Sequence, residues 1–308
     1  MKKQTKEGVK MKKLYLSPDE WEMTFEDNFE FFDTTKWKVN TCIHPENPEL
    51  NGVRRDCFYT DTEDILFTKD SKLYIRTLWK NGEKGEGWYT AFIETSTEVH
   101  PEYKKNENYK GFAQTTGYFE CRCLVPPTIG MWSAFWLMPN NSQTFSADDI
   151  QNTAEDGLEV DVMESPHFYH DTHEEQYQNI HVLHADGYDS RLKTVASPSI
   201  PVENLYEDFH TYGFMWDEDK YTFYIDGIKT WETKHIWEGH DMGICKVPEY
   251  LILSTEVAGT YENGKHYPGL VRGENGEWEE FWCGNPEEND KTKPHDFIID
   301  YVKCYKRK

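Results

Sequence analysis

Within the six residues Glu159-Val160-Asp161-Val162-Met163-Glu164, three carboxylates interrupt a run whose other members are all apolar. Two carboxyl groups held close together with unequal proton affinities are what retaining glycoside hydrolysis needs: one ionised to attack the anomeric carbon, one protonated to release the leaving group. Parity sets a condition on this chemistry. Side chains alternate faces along a strand, so Glu159 and Asp161 share a face, Met163 should follow them, and Glu164 should not. A β-bulge of one residue at Val162-Met163 returns Glu164 to the face of the other two. Glu159 and Glu164 then lie two same-face steps apart, roughly 13 Å between Cα atoms. Two glutamates leaning inward can close that gap to the roughly 5 Å associated with retention. Asp161 lies between them, where it can hold a proton or hydrogen-bond Glu159 while the crowding of negative charge raises the proton affinity of Glu164. The competing reading is an exposed strand with its acids turned to solvent. Leu158, Val160 and Val162 on the opposite face argue for a strand buried on one side.

The elements that must hold such a strand are short alternating segments punctuated by Gly, Pro, Asn and Asp, with little sustained helical periodicity. Strands are expected at 116–125, 131–138, 158–163, 179–184, 209–216, 221–225, 250–257 and 297–305. A hairpin is expected across Lys69-Asp70-Ser71, and Asp226-Gly227 is a strong turn signal. This pattern predicts an all-β fold, a β-sandwich or jelly roll. Residues 1–14 are lysine-rich and read as a flexible basic tail, leaving 15–308 as a single catalytic domain. Residues 81–88, 100–111 and 260–294 read as long loops. The last carries Trp278, Phe281 and Trp282, which could overhang a cleft and stack on sugar.

The chain has 33 basic and 56 acidic residues among 308, a net charge of -23. Repulsion of that size argues against nucleic acid or an anionic membrane as partner. Aromatic residues make up 15%, with 11 Trp and 19 Tyr, which leans towards carbohydrate because sugars stack on flat rings. Seven cysteines, at 42, 57, 121, 123, 245, 283 and 304, have no zinc-type spacing. Their odd number and the lack of an apolar leader favour reduced thiols and a cytoplasmic location. Secretion with the leader removed is the alternative.

Beyond the carboxylate run, several segments occur in a telling order: Gly117-Tyr-Phe-Glu-Cys-Arg122, Gly130-Met-Trp-Ser-Ala-Phe-Trp-Leu-Met-Pro139, Phe209-His-Thr-Tyr-Gly-Phe-Met-Trp216, Tyr224-Ile-Asp-Gly227 and Phe297-Ile-Ile-Asp-Tyr-Val-Lys303. Together they resemble glycoside hydrolase family 16, the laminarinase, lichenase and agarase group, with Glu159 to Glu164 matching its bulged E-x-D-x-x-E motif. The resemblance runs from about Phe25 to the end. It implies a concanavalin A-like sandwich of two curved antiparallel sheets with a concave cleft, and an endo-acting retaining β-glycanase that needs no cofactor. It also implies a monomer whose partner is a polysaccharide or oligosaccharide. Glu159 would be the nucleophile, Asp161 its assistant and Glu164 the acid/base. Trp132 and Trp136 would line the donor side of the cleft, and His184 would face the same cleft. Members often hold one structural calcium through an Asp of the last strand, where Asp300 stands here.

The chain departs from the laminarinase pattern at Tyr250-Leu-Ile-Leu-Ser-Thr-Glu-Val-Ala-Gly259. Ser254 takes the place of an Asn, and Glu256 should point a carboxylate into the cleft, either to bind sugar hydroxyls or to pair with a nearby Lys or Arg. A β-1,3 or mixed-linkage glucan is the expected substrate. Agarase-like cleavage of a β-galactan or host glycan is the alternative. A lectin-like sandwich that binds without cutting is the rival from another class, disfavoured by the two glutamates.

Overall fold

The computed structural model describes residues 13–41, 55–97, 106–139, 157–166, 175–182, 194–273 and 275–308. Among these, two large sheets face each other. The nine-stranded sheet has the carboxylate strand Leu158–Pro166 next to the tryptophan strand Met131–Pro139, which is followed by the Glu256 strand Glu249–Val257. The ten-stranded sheet centres on Gly117–Leu124, with His210–Trp216 on one side and His295–Arg307 on the other. The main core fills the space between them. Phe135, Leu137, Val160, Leu251 and Leu253 from one sheet belong to the same buried cluster as Phe119, Phe214, Phe223, Phe297 and Ile299 from the other. Burying each such side chain contributes about 1.5–3 kcal/mol, so the inward alternation of these strands, broken only locally by bulges, sets which face of each is left for chemistry. The jelly-roll sandwich expected from the strand pattern is the architecture found. Its one exception to antiparallel pairing among the described strands is Phe58–Tyr59, which runs parallel to Gly85–Thr90.

The turns form where their residue types required them. Lys69 and Lys72 exchange backbone hydrogen bonds around Asp70 and Ser71, both at φ 51°, which is the left-handed geometry of a two-residue hairpin. Asp226 at φ 52° and Gly227 at φ 74° close the hairpin between Tyr221–Ile225 and Ile228–Thr233. Two expected loops are otherwise. Residues 81–88 are the tip of a hairpin joining Leu73–Gly82 to Gly85–Thr90, with Trp79 opposite Trp88. The Tyr89 hydroxyl fastens this tip by accepting from the Lys84 amide at 3.0 Å and donating to the Gly85 carbonyl at 2.8 Å. Glycine and lysine content suggested a loop because Trp79 and Tyr89, which hold the hairpin together with Trp88, lie outside that stretch. The 260–294 segment carries two further hairpins, Gly259–Glu262 with Lys265–Pro268 and Leu270–Arg272 with Trp278–Glu280. Leu14, placed in the basic tail, donates its amide to Gly227 at 2.8 Å and packs with Leu16 against Trp21. The rest of the tail, Cys42, His184 and residues 100–105 of the second expected loop lie outside the described residues.

Candidate active site

The carboxylate strand alternates as its sequence suggested up to Asp161 and then breaks step. Leu137 pairs with Val160 and Trp136 with Asp161, but Phe135 pairs with Met163 and Ala134 with Glu164, which leaves Val162 as the extra residue. The neighbouring strand on the other side shows the same shift between Asp161 and Glu164. Val162 and Met163 are both fully buried members of the main core, although they are adjacent in sequence. Two consecutive inward side chains are possible in a strand only across a bulge. Glu164 therefore returns to the outer face of the sheet with Glu159 and Asp161. Glu159 and Glu164 are partly exposed, while Asp161 is 3% exposed and opposite Trp136.

The tryptophan strand forms the floor beside these acids. Trp136 is partly exposed, donates its indole N–H to the Ser254 hydroxyl at 3.1 Å, and meets Phe92 edge-on at 5.6 Å. Ser254 thus orients an aromatic ring in the cleft from the position where an asparagine was the family expectation. Trp132 shares that face but is only 4% exposed. Phe281 stacks on it at 5.5 Å and 19°, Trp282 lies 5.5 Å away, and the Arg55 guanidinium stands over its ring at 4.4 Å. Of the three aromatic residues expected to overhang the cleft, Trp282 keeps an open surface at 48% exposure and Phe281 packs inward. Trp278 is committed elsewhere, stacked on Tyr267 at 4.2 Å with Arg272 over its ring.

Glu256 lies directly across from Trp132 in the strand register and forms an ion pair with Arg55. A cationic partner for Glu256 was foreseeable; Arg55 was not, because nothing local marks it. It joins the sheet through an isolated bridge to Ala258, at the end of the Glu256 strand. The buried Cys283 thiol reports on the same corner. Burial pushes its proton affinity up, Arg55 acts to lower it, and the negative charge of Glu164 raises it further. Arg55 and Glu164 therefore both act on one small, water-poor region beside Trp132.

Asp300 lies on the other sheet, away from this site. Its carboxylate pairs with Arg122 and has the Lys72 ammonium at 3.8 Å. Two cations at one carboxylate oppose a divalent metal, and among the described residues no group of three or more His, Cys, Asp or Glu is arranged to hold one. Asp300 as placed does not fit the expected calcium ligand.

The model of glycosyl hydrolases family 16 matches residues 103–267, which include the carboxylate, tryptophan and Glu256 strands. The chain belongs to this family. Among curated relatives, an endo-1,3-1,4-β-glycanase of Rhizobium meliloti (strain 1021) is 29% identical over 152 residues, covering 49% of this chain and 27% of its own length. A β-glucanase of Rhodothermus marinus is 23% identical over 303 residues, covering 93% of this chain and 85% of its own. This family-16 chain thus spans about a quarter of the first relative and most of the second. Among solved structures, the catalytic domain of an endo-1,3-β-glucanase (laminarinase) from Thermotoga petrophila RKU-1 superposes with a TM-score of 0.64 at 22% identity, covering 94% of this chain and 98% of that one. At that identity the likeness speaks for the fold.

Proposed function

We propose that this family-16 chain is an endo-acting retaining β-glycanase that cleaves a neutral β-linked polysaccharide, a β-1,3 or mixed-linkage β-1,3-1,4-glucan. The observation that carries the reading is the extra residue Val162, which puts Glu164 on the same face as Glu159. In the first step the Glu159 carboxylate attacks the anomeric carbon as the bond to the leaving oxygen breaks, and Glu164 gives that oxygen its proton. In the second, Glu164 takes a proton from water, the resulting nucleophile attacks the same carbon, and the bond to Glu159 breaks to release a product of unchanged β configuration. Asp161 is buried between them opposite Trp136, so it can hold Glu159 in position. The names of the curated relatives, an endo-1,3-1,4-β-glycanase and a β-glucanase, support the substrate class.

A specific observation favours a second reading, cleavage of a β-galactan or host glycan. The Glu256–Arg55 pair sets two charged groups in the segment where the chain departs from the laminarinase pattern. The rival of another class, a binder that does not cut, has no use for the acid pair on one face. Glu159→Gln and Glu164→Gln should each lower turnover at least about a thousandfold with folding intact, within the range that acid/base and nucleophilic groups contribute. Wild-type turnover in either variant rejects the mechanism. Proton NMR of the first-formed product should show the β anomer, and an initial α product rejects retention. Assays on laminarin, barley β-glucan, agarose and mucin glycans, with product sizing, separate the two substrate readings.

A further inference from the structure

Among the described residues, the cleft contains a charged pair that the two-glutamate mechanism does not use. Trp132, whose position would suit sugar stacking, has its ring covered by the Arg55 guanidinium at 4.4 Å and by Phe281 at 5.5 Å. What the cleft presents at this place is a guanidinium paired with a carboxylate, bordered by the exposed Trp282 ring. The Arg55 side chain keeps 27% of its surface open to solvent, whereas that of Glu256 keeps 6%. Glu256 is anchored in mid-sheet, opposite Trp132, and Arg55 is tied to the end of the same strand through Ala258. Both charged ends are therefore carried on paired backbone.

We infer that the Arg55–Glu256 pair recognises hydroxyl groups of a hexopyranosyl unit bound beside the scissile bond, and thereby decides which hydroxyl configuration the cleft accepts. This rests on the glycanase reading above. A guanidinium only donates hydrogen bonds and an ionised carboxylate only accepts them, whereas a sugar hydroxyl does both. A fixed donor beside a fixed acceptor is thus complementary to a vicinal diol or to one hydroxyl in one orientation. Inverting that carbon withdraws a partner from a charged group in a partly desolvated place, a larger penalty than an apolar wall can impose. The pair is neutral as a unit, so it does not call for a sulfated or uronic sugar, in keeping with the acidic chain around it. The covered Trp132 acts here as a positioning residue that sets the plane of the guanidinium, and Trp282 offers the ring on which the sugar can stack.

The test is steady-state kinetics of the wild type, Arg55→Gln, Glu256→Gln and the charge-reversed double variant R55E/E256R on the four polymers named above, with the melting temperature of each protein. If the wild type cleaves none of the polymers, it is the glycanase reading that fails. If it cleaves at least one, both single variants should lose roughly a hundredfold or more in kcat/KM on the preferred polymer and less than about tenfold on the others. Preference then flattens while melting changes by only a few degrees. A uniform loss on every polymer overturns the inference, because it marks a structural role. So does wild-type kinetics in R55E/E256R, which keeps the ion pair but exchanges donor for acceptor. Should the double variant not fold, the two single variants decide by the same criterion.

Discussion

Glu249 is a carboxyl group for which water has been replaced by very little. It is fully buried where the Glu256 strand begins, accepts from the Leu158 amide at 3.2 Å and from the Cys245 thiol at 3.1 Å, and burial pushes its pKa from 4.5 up to about 8. Because the folded value lies above the unfolded one, the protonated form favours the native state. That contribution is complete below about pH 4.5 and is lost as the pH rises towards about 8. Glu249→Gln imitates the protonated acid, so the variant should melt with a shallower decline between pH 5 and 9 and overtake the wild type above about pH 8. Thermal melts across that range check it; parallel slopes would mean that Glu249 ionises at no cost. The residue is adjacent through Leu158 to Glu159, yet no sequence pattern announced it. A lone glutamate at a strand start reads as solvent-facing, and only the packing shows that it points between the sheets.

At the scale of elements, the bulge makes a claim that a substitution can test. In a regular strand Met163 would face the cleft and tolerate a charge, but here it is fully buried in the core. Met163→Glu should therefore destabilise the fold by about 3 kcal/mol or more, the cost of an unpaired buried charge. A denaturation midpoint close to that of the wild type would contradict the bulged register. Parity made the bulge legible as a condition on the chemistry, position included; that Val162 and Met163 both turn into the core was visible only in the packing. The partner of Glu256 was less legible, since Arg55 meets it through folding of segments far apart in the chain.

A second device joins elements around the same corner. The His266 ring, on the strand Lys265–Pro268, faces the Asp56 carboxylate at 2.5 Å through Nδ1 and the Glu86 carbonyl at 2.8 Å through Nε2. It ties that hairpin to the residue following Arg55 and to the 85–90 strand. Burial disfavours the charged ring, but the Asp56 hydrogen bond and charge outweigh it and raise the net proton affinity. A raised histidine value stabilises below its unfolded pKa of about 6.5 and loses that contribution as the pH climbs through the folded value. The stability gap between the wild type and His266→Gln should accordingly be widest near pH 5–6 and narrow on the alkaline side, as read by chemical denaturation. A gap that does not vary with pH would show the ring to be a neutral spacer.

For the whole molecule, the net charge of -23 sets how polymers arrive. A sulfated glycan should be repelled at low ionic strength, so its association should speed up as salt rises from about 20 to 300 mM, whereas a neutral glucan should be nearly indifferent. Stopped-flow binding to Glu159→Gln with both polymers tests this, and equal salt slopes would count against the long-range field. The sandwich itself was readable because inward alternation, turn residues and strand length all pointed the same way. The hairpins at 73–90 and 259–280 were not, because their glycine-, lysine- and glutamate-rich stretches read as loops, although local aromatic pairs such as Trp79 with Trp88 and Tyr267 with Trp278 hold them.

The tryptophan strand separates the strand that carries the acids from the strand that carries Glu256, so those two are not paired in the sheet, although the Glu249 side chain links their ends at the Leu158 amide. Substitutions on one can therefore accumulate without disturbing the register of the other. Inheritance of a bond-breaking apparatus and divergence of diet need not compete within this architecture, since each has its own backbone to vary.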